Sequence, residues 1–545
     1  MDADLRSIHD ARQCARRARA AFEVYRSFDQ ATVDRIAWAA VEAGYGASER
    51  LGKMAVEETG IGRAESKTVK NRFGTRGLWD AVRTMRTCGI VSEDPRTGVT
   101  EVADPFGVVA AIIPTTNPTS TALFKAVCCL KSRNAMVASP HPRARRCITE
   151  AIRICQEAAE AAGAPKDLLV CMEHVSLEGT QALMTDPQVD LILATGGTAL
   201  VRAAYSSGKP AFGVGPGNVP AYVDRSADVA WAAQCVVDSQ TFDNSTLCSS
   251  EAAVVCDAPV ADRMLDELRG RHAHVCTADE VRALEGIVIK DGLTNTAIVG
   301  LAAARVAEMA GFSVPAETTV LVAPYEGVGK EHPLSREKLC PLIAFYRVDG
   351  HEAGCRLCIE VLDQGGRGHT LGLHCDDEDI IRAFALEKPV NRLVVNSPTS
   401  LGGVGFTTAL FPSMTLGCGS FGGNITSDNV GPQHLLNIKR LARVRPEWRS
   451  GQMGTDYGEN PPLSTADCSA QSVAVQSPWD APHRRNPARG PSGSRNPAAV
   501  SPAGSPRPAG ISTGALPGEH FSKADLERII RNALARTRPG GGVLD

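Results

Sequence analysis

The chain has 545 residues, of which 43% are hydrophobic and 22% charged, with a formal net charge of −3. That length exceeds what one compact core serves, so two or three folded units are expected. The charge balance argues against a general nucleic-acid binder, which needs a strong basic excess. No apolar run approaches the roughly 20 residues of a membrane-spanning helix. The first residues (Asp2, Asp4, Arg6, Asp10, Arg12) are polar and charged, unlike a secretory signal. The 17 cysteines are odd in number and irregular in spacing, which predicts free thiols in a cytoplasmic chain rather than a disulfide framework. Cys355 and Cys358 form a Cys-x-x-Cys without a second pair, so they are read as two thiols on one helix face and no metal is expected.

Residues 1 to about 85 read as helical, since Ala39, Ala40 and Ala43, then Leu51, Met54 and Ala55, recur at helical spacing. A hairpin follows: Gly89 to Val91 and Val99 to Val102 flank the turn Asp94-Pro95-Arg96-Thr97-Gly98. Strands are then expected at Gly107 to Ile113, Ala135 to Ala138 and Val189 to Ala194. Helices are expected at Thr121 to Lys131, Arg145 to Ala162 and Thr198 to Ser206. Such alternation predicts a parallel sheet covered by helices. A second mixed region, about 226 to 430, offers strands at Ala252 to Cys256, Thr319 to Val322, Leu342 to Tyr346, His369 to His374 and Arg392 to Val395.

The composition changes near 450. Residues 451–518 hold 11 of the 33 prolines and few large apolar side chains, too little to offset the entropy of ordering, and read as a flexible linker. A helix is expected after it. Ser522 is its N-cap, Phe521 and Leu526 have the spacing of a hydrophobic staple, and Leu526, Ile529, Ile530, Ala533 and Leu534 form one apolar stripe. Pro539 ends it.

Four segments carry chemistry. Thr241-Phe242-Asp243-Asn244-Ser245-Thr246-Leu247-Cys248-Ser249-Ser250-Glu251 puts a cysteine after a polar turn and before a strand. Ile113-Pro114-Thr115-Thr116-Asn117-Pro118-Thr119 ends a buried strand with an amide, and Leu193-Ala194-Thr195-Gly196-Gly197-Thr198 ends another strand and opens a helix. A glycine-rich strand-to-helix turn suits dinucleotide phosphates, although the full Gly-x-Gly-x-x-Gly is absent. Ser335-Arg336-Glu337-Lys338-Leu339-Cys340-Pro341 places a carboxylate before a strand. Gly213, Gly215 and Gly217 read as a sharp backbone turn, because no helix follows them.

Together with Phe212 to Pro220, Thr415 to Asn424 and Asp428 to Leu435, these segments resemble, in order over roughly residues 1 to 445, the CoA-acylating branch of the aldehyde dehydrogenase superfamily. That resemblance implies an α/β fold in several parts. A Rossmann-like nucleotide-binding domain would occupy 1–225, with an oligomerisation hairpin at about 88–105, and an α/β catalytic domain 226–425. An oligomerisation segment (426–450), the linker (451–518) and the amphipathic helix (519–545) would follow. It further implies Cys248 as nucleophile and Asn117 as a donor to the oxyanion beside the Cys248 N–H. Glu337 would bind the nicotinamide ribose, and Thr195, Gly196 and Gly197 would lie near the pyrophosphate.

The implied reaction takes a short-chain aldehyde (acetaldehyde or propionaldehyde), NAD and CoA to acyl-CoA and NADH through a cysteine thioester. Hydrolytic members carry a glutamate in a Glu-Leu-Gly-Gly segment that corresponds to Val214 through Gly217, so Val214 replaces the base that activates water. Water, with a pKa of about 15.7, suffers more from that loss than a thiol with a pKa of about 8.5. In the loop Ser139-Pro140-His141-Pro142-Arg143-Ala144-Arg145-Arg146, Ser139 and His141 are cofactor-binding candidates. The three arginines there could meet a 2′-phosphate or the phosphates of CoA, though the branch is mostly NAD-linked. The terminal helix resembles the peptides that carry such enzymes into bacterial microcompartments, which implies a shell-protein partner for 519–545. A homodimer or homotetramer is expected. Rival readings are succinate semialdehyde or sulfoacetaldehyde as substrate, a hydrolytic dehydrogenase, and a non-catalytic shell adaptor.

Overall fold

The computed structural model describes residues 2–444. The expected linker at 451–518 and helix at 519–545 lie outside the described residues.

The chain opens with the helix Ala3–Tyr25, started by the Asp2 side chain, which accepts from the Ala3 N–H. Its buried stripe, Ala11, Cys14, Ala15, Ala18, Phe22 and Tyr25, follows the helical repeat. Four more α-helices complete this region: Gln30–Gly46, Ser48–Thr59, Ala64–Arg72 and Leu78–Val82. The expected hairpin is present as Gly89–Asp94 paired with Val99–Pro105, and Leu436–Ala442 adds a third antiparallel strand from Leu436 opposite Pro105 to Ala442 opposite Val99.

A five-stranded parallel sheet follows, in the spatial order Leu169–Cys171, Ala135–Pro140, Val108–Ile113, Leu191–Thr195, Ala211–Val214. Every residue of Val108–Ile113 is buried, as suits a central strand covered on both faces. The chain winds outward one way through Ala135–Pro140 and the other way through Leu191–Thr195. The topological switch therefore lies between Val108–Ile113 and Leu191–Thr195, outside whose carboxyl ends ligands bind in open α/β sheets. Buried Lys125 bridges this switch, donating to Ile112 O at 2.8 Å and Leu193 O at 2.9 Å.

A second, seven-stranded parallel sheet contains Val219–Val223, Glu251–Asp257, Leu321–Pro324, Leu342–Val348, Gly368–His374 and Val390–Val395, with His274–Val275 at one edge. Mixed α/β architecture with parallel sheets is thus as expected. The differences are local. The helix expected from Thr121 starts at Pro118, because proline's fixed φ and missing N–H suit a first turn. Among the short strands not anticipated are His274–Val275, Leu169–Cys171, Ala211–Val214 and Val219–Val223. The last two flank the Gly-Pro-Gly-Asn turn, which carries the chain from one sheet to the other. Cys355 and Cys358 are buried on the helix Gly350–Asp363, and Lys388 hydrogen-bonds the Cys355 sulfur. No helix of the described residues is long and apolar enough to cross a membrane.

Candidate active site

Strand ends from both sheets assemble the site. Asn117 stands where Val108–Ile113 turns into the helix Pro118–Lys131. Its Nδ2 donates to Thr246 O at 3.2 Å, two residues before Cys248, and to Thr116 Oγ1 at 3.2 Å. Cys248 is half-buried in the turn that leads into Glu251–Asp257. Three consecutive residues before it, Asp243, Asn244 and Ser245, have φ of 51°, 52° and 62°. Non-glycine residues adopt this left-handed region only when the surroundings hold them there.

What holds them is a buried charge cluster that the sequence reading missed. Asp243 is fully buried, accepts from Arg63 N at 2.7 Å, from Lys67 Nζ at 3.0 Å and from Thr246 Oγ1 at 2.7 Å, and is also paired with Lys70. Lys70 in turn donates to Asn117 Oδ1. Burial alone would raise the Asp243 carboxyl, but the two ammonium groups and the Arg63 N–H outweigh it and hold it below the usual range. Burial pulls Lys70 down to about 8, against the opposing pull of Asp243. Two buried lysines three apart on the helix Ala64–Arg72 need an anionic partner, but their burial is evident only in the structure.

Glu337 accepts from Gly217 N at 2.9 Å, and burial pushes its carboxyl up to about 7. The Cys248 thiol is pushed up to about 12, by burial first, then by the Glu337 carboxylate and Cys418, with Arg392 opposing. In this state the thiol is protonated at neutral pH. Behind Glu337, buried Lys338 donates to Ala252 O at 2.9 Å, Leu334 O at 2.6 Å and Arg336 O at 2.9 Å, tying the loop to the strand that follows Cys248. Asn218 Nδ2 donates to Ser335 O at 2.8 Å and Val361 O at 2.7 Å, which locks the turn between the sheets.

His369 was also missed as a site residue. It is fully buried, Nδ1 meets Thr370 Oγ1 at 3.0 Å, and Nε2 has no partner. Its ring packs on the same face of Gly217 as the Cys248 carbonyl. Burial, and then Arg392, push its pKa well below the ordinary value, so it is neutral at pH 7.

The nucleotide candidates divide. Thr195, Gly196 and Gly197 end Leu191–Thr195 at the switch and open the helix Thr198–Ser206, whose first turn receives no side-chain cap. The Thr195 hydroxyl is buried without a partner. An orphaned hydroxyl beside free helix N–H groups fits an anionic phosphate and its ribose. The other nearby helix start, Arg145–Ala161, differs, because Glu58 accepts from Arg146 N at 2.8 Å and Cys147 N at 2.7 Å. Ser139 is buried with its hydroxyl 2.9 Å from Thr180 Oγ1, so its side chain is engaged within the core. His141 is exposed, and its Nδ1 accepts from Arg143 N at 3.2 Å.

Known proteins share this fold. The profile of the aldehyde dehydrogenase family matches residues 3–283. The bifunctional aldehyde-alcohol dehydrogenase AdhE of Escherichia coli (strain K12) is 43% identical over 436 residues, 78% of this chain and 48% of that protein. The chain thus spans about half the length of that relative. An acetylating aldehyde dehydrogenase from Geobacillus thermoglucosidasius has 47% identity and a TM-score of 0.80, covering 82% of this chain and 98% of that one. Rhodopseudomonas palustris propionaldehyde dehydrogenase, solved with bound CoA and an acylated cysteine, has 29% identity and a TM-score of 0.72, covering 80% and 97%. A shared fold over nearly the whole Geobacillus chain at that identity, with the profile match, leaves one conclusion: this chain belongs to the aldehyde dehydrogenase family.

Proposed function

We propose that the chain oxidises a short-chain aldehyde to its acyl-CoA, with NAD as hydride acceptor, through a thioester on Cys248. The observation that carries this reading is Val214. It ends the strand Ala211–Val214 as a buried side chain where hydrolytic members place the glutamate that activates water. Without that base a thiol outcompetes water for the thioester, because far more of it is ionised near neutral pH. The acetylating Geobacillus relative and the CoA-bound Rhodopseudomonas structure support the same reading.

Each step falls to residues already placed. Cys248 attacks the aldehyde carbon as the thiolate, its proton passing to solvent water, and the Asn117 amide donates to the resulting oxyanion. Glu337 would hold the nicotinamide ribose, and Thr195, Gly196 and Gly197, with the open N-terminus of Thr198–Ser206, would hold the pyrophosphate. Bound nicotinamide supplies the hydride acceptor. His369, neutral and with a free Nε2, takes the proton of the incoming CoA thiol. Ser139 and His141 would contribute through the position of their loop, whose Arg143 and Arg146 could meet the phosphates of NAD or CoA, Arg145 being held by Glu173 O at 2.8 Å.

A preference for a short alkyl aldehyde is supported by the surroundings of Lys70 and Leu247, one residue before Cys248. An apolar pocket there is lined by Phe73, Phe242, Leu247, Val404, Phe406 and Met414. Its one cation, Lys70, is committed to Asp243 and Asn117. Such a lining favours the alkyl group of acetaldehyde or propionaldehyde over the anionic ends of succinate semialdehyde or sulfoacetaldehyde. Self-association through the sheet of Gly89–Asp94, Val99–Pro105 and Leu436–Ala442 belongs to the same proposal. So does delivery into a microcompartment by 519–545, which rests on its amphipathic sequence alone.

The test is steady-state turnover with an aldehyde panel, with and without CoA. Sustained NADH formation is expected only with CoA, and Val214→Glu should raise a slow hydrolytic leak. Sustained turnover of the unaltered chain without CoA would overturn the acyl-transfer reading. No NADH with any aldehyde would favour the adaptor.

A further inference from the structure

Asn117 cannot serve an oxyanion unless its carboxamide is turned the right way. An amide has a donor end and an acceptor end of nearly equal size, and a free side chain samples both orientations. In this structure the acceptor end is claimed. Lys70 Nζ donates to Asn117 Oδ1, which leaves Nδ2 on the side of Thr246 and Cys248. Lys70 is itself fixed, with 3% of the residue exposed and with Asp243 and Thr246 Oγ1 as partners. Lys67, one helical turn away, donates to the same carboxylate at 3.0 Å and to Thr116 O at 3.0 Å, beside Asn117.

The charges in this cluster do not cancel. Two ammonium groups share the Asp243 carboxylate, and all three side chains are at most 3% exposed. A buried excess of positive charge is costly unless an anion forms next to it. Lys70 meets Asn117, whose Nδ2 donates to Thr246 O two residues before Cys248, so the excess lies beside the turn that carries the reacting thiol. A cation fixed beforehand beside the position where negative charge develops costs nothing to reorganise in the transition state.

We propose that Lys70 is a positioning residue for the oxyanion site: it orients the Asn117 amide and supplies a preformed positive charge, and Asp243 and Lys67 hold it in place. This rests on the reading of Asn117 as oxyanion donor. It accounts for the left-handed Asp243 to Ser245 segment, because that backbone is what turns the Asp243 carboxylate back toward the helix Ala64–Arg72.

The test is a double-mutant cycle of Lys70→Met and Asn117→Ala, read as kcat and as KM for the aldehyde and for NAD. Each single variant should lose about 10² in kcat with KM for NAD unchanged. The pair should be well short of the product of the two single losses, because Lys70 acts in part through Asn117 and such residues are not additive. Lys70→Arg keeps the charge and should recover part of the loss. If Lys70→Met does not accumulate as folded protein, Lys70→Arg combined with Asn117→Ala carries the same comparison. Multiplying losses, or a Lys70→Met enzyme with normal kcat, would overturn the inference while leaving the acyl-transfer reading intact. Normal kcat in Asn117→Ala would overturn the role of Asn117 itself.

Discussion

Gly217 is wedged between Glu337 and Cys248. Its N–H donates to Glu337 Oε1 at 2.9 Å, and a Cβ on it would lie 2.1 Å from the Cys248 carbonyl oxygen and 3.1 Å from the His369 ring. One glycine therefore spaces the carboxylate, the nucleophile turn and the buried imidazole.

A methyl group at this position must displace backbone, not a flexible side chain. Gly217→Ala should lower stability by about 1–3 kcal/mol, the usual cost of overpacking. It should also lower kcat/KM by more than tenfold, as a misplacement near 1 Å costs about 10². Thermal unfolding and steady-state kinetics on the same preparation measure both. An active, fully stable Gly217→Ala would mean that the turn has room to move.

The thiol of Cys248 should react slowly at neutral pH. Burial and the Glu337 carboxylate hold it near 12, so alkylation by iodoacetamide should rise with pH and show no plateau near pH 7. Glu337→Gln removes a negative charge and should shift that profile to lower pH. A plateau near neutrality in the unaltered protein would mean that the resting thiol is already ionised. Cys248→Ala should abolish acyl-CoA formation in a folded protein, whereas Cys418→Ser should keep the activity.

Lys338 is 1% exposed, and burial pulls it down to about 7 against the opposing charges of Cys340 and Glu337. Its folded pKa lies below the unfolded value of about 10.4. Between those values the unfolded chain binds more protons, so this lysine makes stability rise with pH in that window. Lys338→Met lacks that contribution and leaves three carbonyls without their donor. Its deficit against the unaltered protein should be about 2–4 kcal/mol and should grow from pH 7 to 9 by up to about 1 kcal/mol per pH unit. Denaturant melts at several pH values measure this. A deficit that shrinks as pH rises would reverse the sign of the argument.

The C-terminal segment is tested apart from catalysis. Deleting residues 451–545 should leave aldehyde oxidation nearly intact, because the segment's composition offers few apolar contacts for a core. A reporter fused to 519–545 should co-purify with the cognate shell. Ile530→Asp should abolish this, since each large apolar side chain buried contributes roughly 1.5–3 kcal/mol. A fusion that stays free in cells making that shell would exclude encapsulation.

The sequence by itself determined the α/β class, the parallel sheets and the family. Those follow from local properties: apolar runs of strand length, helical periodicity and ordered motifs survive without any knowledge of what packs on what. Cys248, Asn117 and Glu337 could likewise be singled out, because each ends or precedes a legible strand. Lys70, Lys67 and Asp243 could not be read as a unit. Two of them sit in a helix of ordinary polar composition about 170 residues before the third, and only burial in a common site turns their charges into a constraint. His369 reads as one more strand residue until the structure shows its ring against Gly217. The same holds for the two helix starts near the sheet edge. Both are exposed turns in the sequence, and only the tertiary structure puts Glu58 on one and leaves the other open. A side chain's electrostatic meaning depends on what surrounds it once water is excluded, and that is decided by contacts between residues far apart in the chain.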